Sequence, residues 1–150
     1  MEPFTAVVAI VVIGLLVGIE AAVAFALHPV LLRLPAGPAI AGRADGARLL
    51  GRTMPILYIG SLVVTVVLSV LLWGRPEAAL LGVAAALLVV SVVMSTALLV
   101  PINNRTKAWT AEDHPDDWRV QMRRWDRLHV VRVAVIVAAF ALVATAATML

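Results

Sequence analysis

The sequence contains no cysteine, which excludes disulfide bonds and thiolate metal sites. Charged residues are also scarce, at 14% of the chain, whereas ordinary soluble domains carry roughly 25%. No GxGxxG, CxxC or HExxH motif is present, so the common dinucleotide, thiol-redox and zinc-protease signatures are missing. A typical soluble enzyme is therefore a poor interpretation of this chain.

Hydrophobic residues make up 63% of the sequence and fall into four long runs. None of the runs alternates with period two, and each is long enough to cross about 30 Å of hydrocarbon as a helix. We predict an all-α fold, an integral membrane four-helix bundle with two longer cytoplasmic loops, forming a single domain over residues 1–150. The predicted helices cover residues 4–28, 54–73, 77–100 and 116–150, the last starting before the membrane.

Prolines and turn residues suggest where the helices end. The first run lacks the basic start of a secretory signal peptide and is longer than one, so we expect it to remain a membrane span. We expect Pro29 and Pro101 to end the first and third helices, because the residue before a proline disfavours helical geometry. Residues 28–53 would then form a long connection, with a short surface helix over 44–52. Asp113 is expected to cap the fourth helix.

The basic residues are distributed unevenly between the connections. The calculated pI of about 10.6 would suit a nucleic-acid-binding protein, but the Lys and Arg residues concentrate in the first and third connections, and Arg75 alone occupies the short second one. The positive-inside rule places both rich loops in the cytoplasm and both termini outside. We therefore expect a multi-pass protein of the cell inner (plasma) membrane, with the lipid bilayer and not nucleic acid as its partner.

Glu20 is the only acidic residue deep inside an apolar run. A carboxylate at such depth costs about 2.5–3.5 kcal/mol on insertion scales, so it normally faces the bundle interior and has a partner. It is either functional, as a proton acceptor, metal ligand or substrate counter-ion, or a structural carboxyl bonded to a neighbouring helix or an arginine. On the same helix, Gly14 and Gly18 form a GxxxG pattern that permits a close helix contact and predicts a homodimer.

A polar stripe runs along the start of the fourth helix. Trp118, Met122, Trp125, His129 and Arg132 recur at spacings of three and four, which places all five on one helical face. Neutral imidazole can act as a base near physiological pH, so His129 is a catalytic candidate beside Trp125 and Arg132.

Asn103 and Asn104 follow Pro101 directly, and two interpretations stay open for them. Asparagine caps helix ends and makes turns, but two amides could also donate hydrogen bonds to an oxyanion. Two interpretations also stay open for the tryptophans, which could form an aromatic belt at the membrane surface or line a flat site for a planar ligand. The residues that we expect to contact substrate are Trp109, Trp118, Trp125, His28 and Arg105.

These features resemble the anthrone oxygenase-like integral membrane proteins. The resemblance rests on the size, the four helices, His28-Pro29, the "VPINNR" segment, and "DW…RWDRLHVVR" leading into the last helix. Its most specific part is residues 101–132. It implies oxidation of an anthrone or another planar aromatic molecule by O2, without a metal or other cofactor. In that case His129 would be the base, Asn103, Asn104 and Arg132 would stabilise the enolate oxygen, and tryptophans would enclose the rings.

Two other classes of function remain possible from the residues alone. A small proton-coupled multidrug-type exporter would use Glu20, and in that class Glu20→Gln should abolish transport while sparing an oxygenase centred on His129. A non-catalytic subunit would instead hold a haem between His28 and His129.

Overall fold

The computed structural model describes residues 2–150, and within them every regular element is helical. Four helices are long and apolar enough to cross a membrane, and we refer to them as the first to fourth spans. The chain is thus a multi-pass membrane protein, and the predicted all-α class is confirmed. The spans cover Pro3–Arg33, Ala36–Leu71, Pro76–Thr106 and Trp118–Thr148.

The first and third spans are each built from three consecutive helical segments. The first contains α1 (Glu2–Ala22), a π-helical segment (Val23–Leu27) and α2 (His28–Arg33). The second and fourth spans are single helices, α3 (Ala36–Leu71) and α6 (Trp118–Thr148). The third contains α4 (Pro76–Met94), a second π-helical segment (Ser95–Leu99) and α5 (Val100–Thr106).

Each span packs against its two neighbours in chain order, and the fourth also packs against the first, which closes the bundle. The core is a stripe of buried residues spaced by three and four along every span, such as Ala9, Ile13 and Leu16 on α1 and Leu81, Ala84 and Leu88 on α4. The opposite faces expose many large apolar side chains, as lipid-facing surfaces require.

The first connection differs from the prediction. Residues 28–53 are helical except at Leu34 and Pro35, so the expected loop is only a tight corner. α3 continues for 36 residues because Ala39, Ile40 and Ala44 are buried on its inner face. Gly42 permits this packing, since a Cβ there would lie only 2.7 Å from a Leu31 methyl carbon.

The prolines of the first and third spans do not end their helices. His28 and Val100, the residues before Pro29 and Pro101, each donate their N–H to the carbonyl five residues earlier. The wider π turn makes room for the proline ring, which would otherwise clash with the carbonyl four residues back. The helix therefore continues past Pro101 as far as Thr106.

The connection before the fourth span is the one longer loop, over residues 107–117. The fourth helix begins at Trp118 with Asp117 at its cap position, and no side-chain capping bond is made. Asp113 instead belongs to a turn in which its N–H is bonded to the Thr110 hydroxyl. The predicted cap was therefore placed four residues too early.

Candidate active site

The buried stripe changes from apolar to polar at one level of all four spans. Glu20 on the first span, Tyr58 on the second, Ser91 on the third and His129 on the fourth are all buried. The first apolar run of the sequence ends at Leu27, and Glu20 lies seven residues before that end, which is about 10 Å of helix. The polar level is therefore inside the hydrocarbon zone, toward the end of the bundle that carries most of the basic residues.

Arg132 connects three of the spans through its guanidinium group. Its Nη2 donates to Glu20 Oε2 at 2.7 Å and lies 2.9 Å from His129 Nδ1, and its Nη1 donates to Ser95 Oγ at 2.7 Å. Ser95 in turn donates to the Ser91 carbonyl. We call Glu20, Ser95, His129 and Arg132 the inner cluster. Its carboxylate and guanidinium neutralise each other, which reduces the cost of burying both.

The contacts of His129 specify where its proton lies. Its Nε2 is 3.1 Å from the Glu20 backbone carbonyl, an atom that only accepts hydrogen bonds, so Nε2 carries the hydrogen. Nδ1 then holds the lone pair and accepts from Arg132, whose Nη2 has one hydrogen for Glu20 and one for His129. The His129 side chain is completely buried, and both ring nitrogens are already engaged.

A second ionic group lies toward the membrane surface. Arg43 donates two parallel hydrogen bonds to Asp126, at 2.7 and 2.8 Å, and His28 Nδ1 lies 2.9 Å from the same carboxylate. We call His28, Arg43 and Asp126 the outer cluster. The Trp125 ring stacks on His129 at 4.6 Å and meets His28 at 4.8 Å, so aromatic contacts join the two clusters.

A cavity of about 310 Å³ lies between the second and third spans. Its size is at the lower end of the range for small-molecule sites. Glu20, Tyr58 and Arg132 line its inner end, and Asn103 and Asn104 line its outer part. Ser95 and Asn103 both line the cavity, and Asn103 lies eight positions after Ser95, which is about 12 Å along the third span.

Five of the side chains that line the cavity keep a buried polar atom without a hydrogen-bond partner among residues 2–150. The carboxylate oxygen Glu20 Oε1 can only accept, whereas the Tyr58 hydroxyl, Trp125 Nε1, Arg43 Nε and Arg132 Nε can donate. The Tyr58 hydroxyl lies close to Glu20 and Ser91 without hydrogen-bond geometry to either. Unpaired buried groups are rare in folded proteins, so these atoms define the polar contacts that a ligand or water would complete.

The structure places the predicted site residues in four groups. Some line the cavity directly, while His129 lies behind its wall, where it contacts Glu20 and Arg132. Arg105 is exposed outside the cavity, and Trp109 and Trp118 pack with Ala39 and Ile40 in a separate apolar cluster. The predicted residues that line the cavity are Glu20, His28, Asn103, Asn104, Trp125 and Arg132.

The two asparagines are on the helix α5 and not in a turn. Asn104 is exposed and accepts a hydrogen bond from Lys107 Nζ at 3.2 Å. The Asn103 amide makes no side-chain hydrogen bond to any other described residue, so it is available to a ligand in the outer part of the cavity.

Sequence reasoning missed four polar residues of this region, namely Tyr58, Ser95, Arg43 and Asp126. Tyr58 is the one tyrosine of the chain and is embedded in an apolar run, which was the available signal. Arg43 was assigned to a loop, and Asp126 lies among exposed arginines, so neither had a visible partner.

A family model described as "Anthrone oxygenase" matches residues 48–142, which is more than half of the chain. The chain belongs to the anthrone oxygenase family. The resemblance inferred from the sequence is thereby confirmed, and comparison with curated proteins and with solved structures gives no match. In this member of the anthrone oxygenase family, the matched range contains Tyr58, His129 and Arg132, whereas Glu20 precedes it.

The histidines of this anthrone oxygenase family member do not fit a haem held between them. The two imidazole rings are tilted by 45° to each other, and Trp125 packs against both of them. A porphyrin would have to displace Trp125, and both His129 nitrogens already have protein partners.

The two glycines of the GxxxG pattern have different surroundings. A Cβ on Gly14 would contact the Phe140 ring at 3.7 Å, so this glycine faces the fourth span of the same chain. Gly18 is exposed, with nothing within 4 Å of such a Cβ. A homodimer through both glycines stays a prediction, and Gly18 is the one with a free surface.

Proposed function

We propose that this protein is a membrane-embedded oxygenase that uses O2 to oxidise an anthrone-like planar aromatic molecule at an acidic methylene carbon, without a cofactor. Family membership supports the reaction class. The observation that carries the proposal is the unpartnered Oε1 of the Glu20 carboxylate at the inner end of a largely apolar cavity, while Arg132 binds Oε2 of the same carboxylate.

The proposed reaction balances with O2 alone. Removal of one methylene proton gives an aromatic enolate, which transfers an electron to O2 and then forms a carbon–oxygen bond as a hydroperoxide. Loss of the second C–H proton, with cleavage of the O–O bond, gives a carbonyl and one water. The methylene carbon is oxidised by four electrons and O2 is reduced by four, so no additional reductant is required.

Glu20 is the proposed proton acceptor. Its Oε1 is unpartnered and its side chain lines the cavity, whereas the lone pair of His129 already accepts from Arg132. His129 is then a positioning residue, since it contacts both the Glu20 backbone and the Arg132 guanidinium. A general base of this kind typically contributes 10²–10⁴-fold to the rate.

The remaining polar groups of the cavity suit the enolate. Arg132 carries a positive charge beside the reacting end and keeps its Nε unpartnered, so it can stabilise negative charge on oxygen. The Asn103 amide and the Trp125 indole are proposed to bind the oxygens and the ring faces of the substrate farther out. The apolar walls exclude water from the reactive intermediates.

A proton-coupled exporter is the alternative that places Glu20 at the centre. Its carboxylate would need to bind a cationic cargo in exchange for a proton, yet the Arg132 guanidinium lies 2.7 Å from it and repels a second cation there. Because Glu20 contacts His129 and Arg132, Glu20→Gln no longer separates the two classes. Turnover in detergent solution does, since transport requires two compartments and oxygenation does not.

The test is O2 uptake and quinone formation by detergent-purified protein supplied with an anthrone. The unmodified protein should be active, and Glu20→Gln should lower kcat by at least about a hundredfold because a neutral amide cannot accept the proton. Glu77→Gln is the matched control, because Glu77 is also buried but lies at the opposite end of the bundle, beside Arg75. It should retain normal activity.

Two results would contradict the proposal. If purified, folded protein shows no anthrone-dependent O2 uptake, the proposed reaction is wrong. Equal activity in the Glu20→Gln and Glu77→Gln variants would leave oxygenation standing and remove Glu20 as the base.

A further inference from the structure

The second π-helical segment leaves a gap in the wall of the bundle. The second span packs closely against α4 and α5, but it makes few contacts with Ser95–Leu99 between them. Ser95 and Thr96 of this segment both line the cavity. The cavity therefore lies where the third span departs from regular α-helix.

The side of the cavity that faces the bilayer is lined by residues that are also exposed on the outer surface of the bundle. Ile59 on the second span is 60% exposed, and Pro55 and Thr96 are exposed as well. The Thr96 hydroxyl donates to carbonyls of its own helix, so the opening has a largely apolar edge. All three residues lie within or beside the predicted membrane zone.

Contacts between charged and polar groups lie across the other end of the cavity, which faces water and includes the exposed residues Gly51 and Asn104. Arg48 Nη2 donates to the Lys107 carbonyl, and Lys107 Nζ donates to Asn104. The end of the Lys107 side chain also lies against Gly51, at 3.4 Å from the position of a Cβ. These contacts tie the second span to α5 across the outer end of the cavity.

We propose that the cavity takes its ligand sideways from the bilayer, through the opening between the second and third spans bordered by Pro55, Ile59 and Thr96. The ligand class is an uncharged, planar molecule dissolved in the hydrocarbon. The opening follows from the geometry alone, whereas the planarity of the ligand and its oxidation rest on the proposed function.

The chain has no native cysteine, so a single introduced cysteine reports access without background. Val92 lines the cavity one helical turn deeper than Thr96, and Val92→Cys places a thiol there. In reconstituted vesicles, a bilayer-dissolved apolar maleimide should label it, whereas a charged water-soluble maleimide should react at least roughly tenfold more slowly, because a charged group enters the hydrocarbon only at a high free-energy cost.

Adding Ile59→Trp should slow labelling by the apolar reagent roughly tenfold, because the larger side chain fills the opening. Ile56→Trp is the matched control, since Ile56 is 72% exposed on the same helix but does not line the cavity. It should leave the labelling rate unchanged.

Three results would overturn lateral access: equal labelling by both reagents, equal effects of the two tryptophans, or no labelling of Val92→Cys under conditions in which the apolar reagent labels Val93→Cys, whose position is 55% exposed on the outer surface. The measurement needs no turnover, so it can fail while oxygenation holds. It can also succeed in a protein without oxygenase activity, and the two proposals are thus tested separately.

Discussion

At the scale of single residues, the guanidinium of Arg132 determines what His129 can do. One Nη2 hydrogen points to Glu20 and the other to the imidazole, and the opposite ring nitrogen donates to a backbone carbonyl. A residue engaged in this way can hold the carboxylate and guanidinium in place, but it has no free lone pair for the substrate.

We therefore expect His129→Gln to keep activity within about tenfold of the unmodified protein, because glutamine also offers one donor and one acceptor at similar reach. His129→Ala should lose about a hundredfold or more, since one Arg132 N–H and the Glu20 backbone carbonyl would lose their histidine contacts inside the buried cluster. The measurement is kcat for anthrone-dependent O2 uptake, with thermal stability of both variants as the control. Equal losses in two folded variants would restore His129 as the base.

The sequence allowed several residues of the site to be predicted, but not their pairing. Glu20 was selected by its depth and His129 and Arg132 by their spacing along one helical face, and all three are buried. Their contact could not be predicted, because Glu20 and Arg132 are 112 residues apart. Within the apolar runs nearly every position is hydrophobic, so periodicity did not show that Tyr58 faces inward.

At the scale of secondary structure, three of the four spans contain an internal proline near the cavity: Pro29, Pro55 and Pro101. Pro55 has no N–H, so the carbonyl of Gly51, four residues earlier, lacks its usual donor beside the cavity. Pro29 and Pro101 are accommodated by π-helical segments. Such segments often occur at functional sites, because they reorient the residues on either side.

Replacing Pro101 should raise the stability of the third span and lower the activity of the protein. Pro101→Ala restores an N–H to the helix, and we expect the free energy of unfolding to rise by up to about 3 kcal/mol as the π turn relaxes. That relaxation would turn Ser95 relative to Asn103 and move its hydroxyl from Arg132, so activity should fall. The measurements are thermal unfolding and O2 uptake.

Pro38→Ala is the control for this change, because Pro38 lies in the first turn of α3, where no helical N–H is required. It should alter neither quantity. Unchanged stability and full activity in Pro101→Ala would mean that packing alone maintains the π-helical segment.

The lengths of the helices were harder to predict than their number. Glycine and proline are typical of loops, and residues 28–53 contain several of each. The structure keeps this segment helical because its inner face is buried against Trp118 and Met122. Tertiary packing thus overrides the local preference of this segment for a loop. Nothing in the sequence indicates this packing, because Trp118 and Met122 lie far away along the chain.

At the scale of the whole molecule, charge and length divide the bundle into two zones. α3 has 36 residues, which is about 54 Å of helix against about 30 Å of hydrocarbon. Its first half and the start of α6 thus extend beyond the membrane, and they carry most of the basic residues. Both clusters and the cavity lie toward this end, and Glu77 with Arg75 marks the other.

The positive-inside rule predicts that this basic end faces the cytoplasm, with the cavity near the cytoplasmic surface and both termini outside. Single cysteines can test this orientation: Trp73→Cys in the short connection, where Trp73 is 83% exposed, and Ala111→Cys in the exposed part of the long loop. A membrane-impermeant maleimide applied to intact cells should label Trp73→Cys and not Ala111→Cys, and lysis should make both reactive. The reverse pattern in intact cells would mean that the bundle is inverted and that the cavity lies near the outer surface, and labelling of both would indicate mixed insertion.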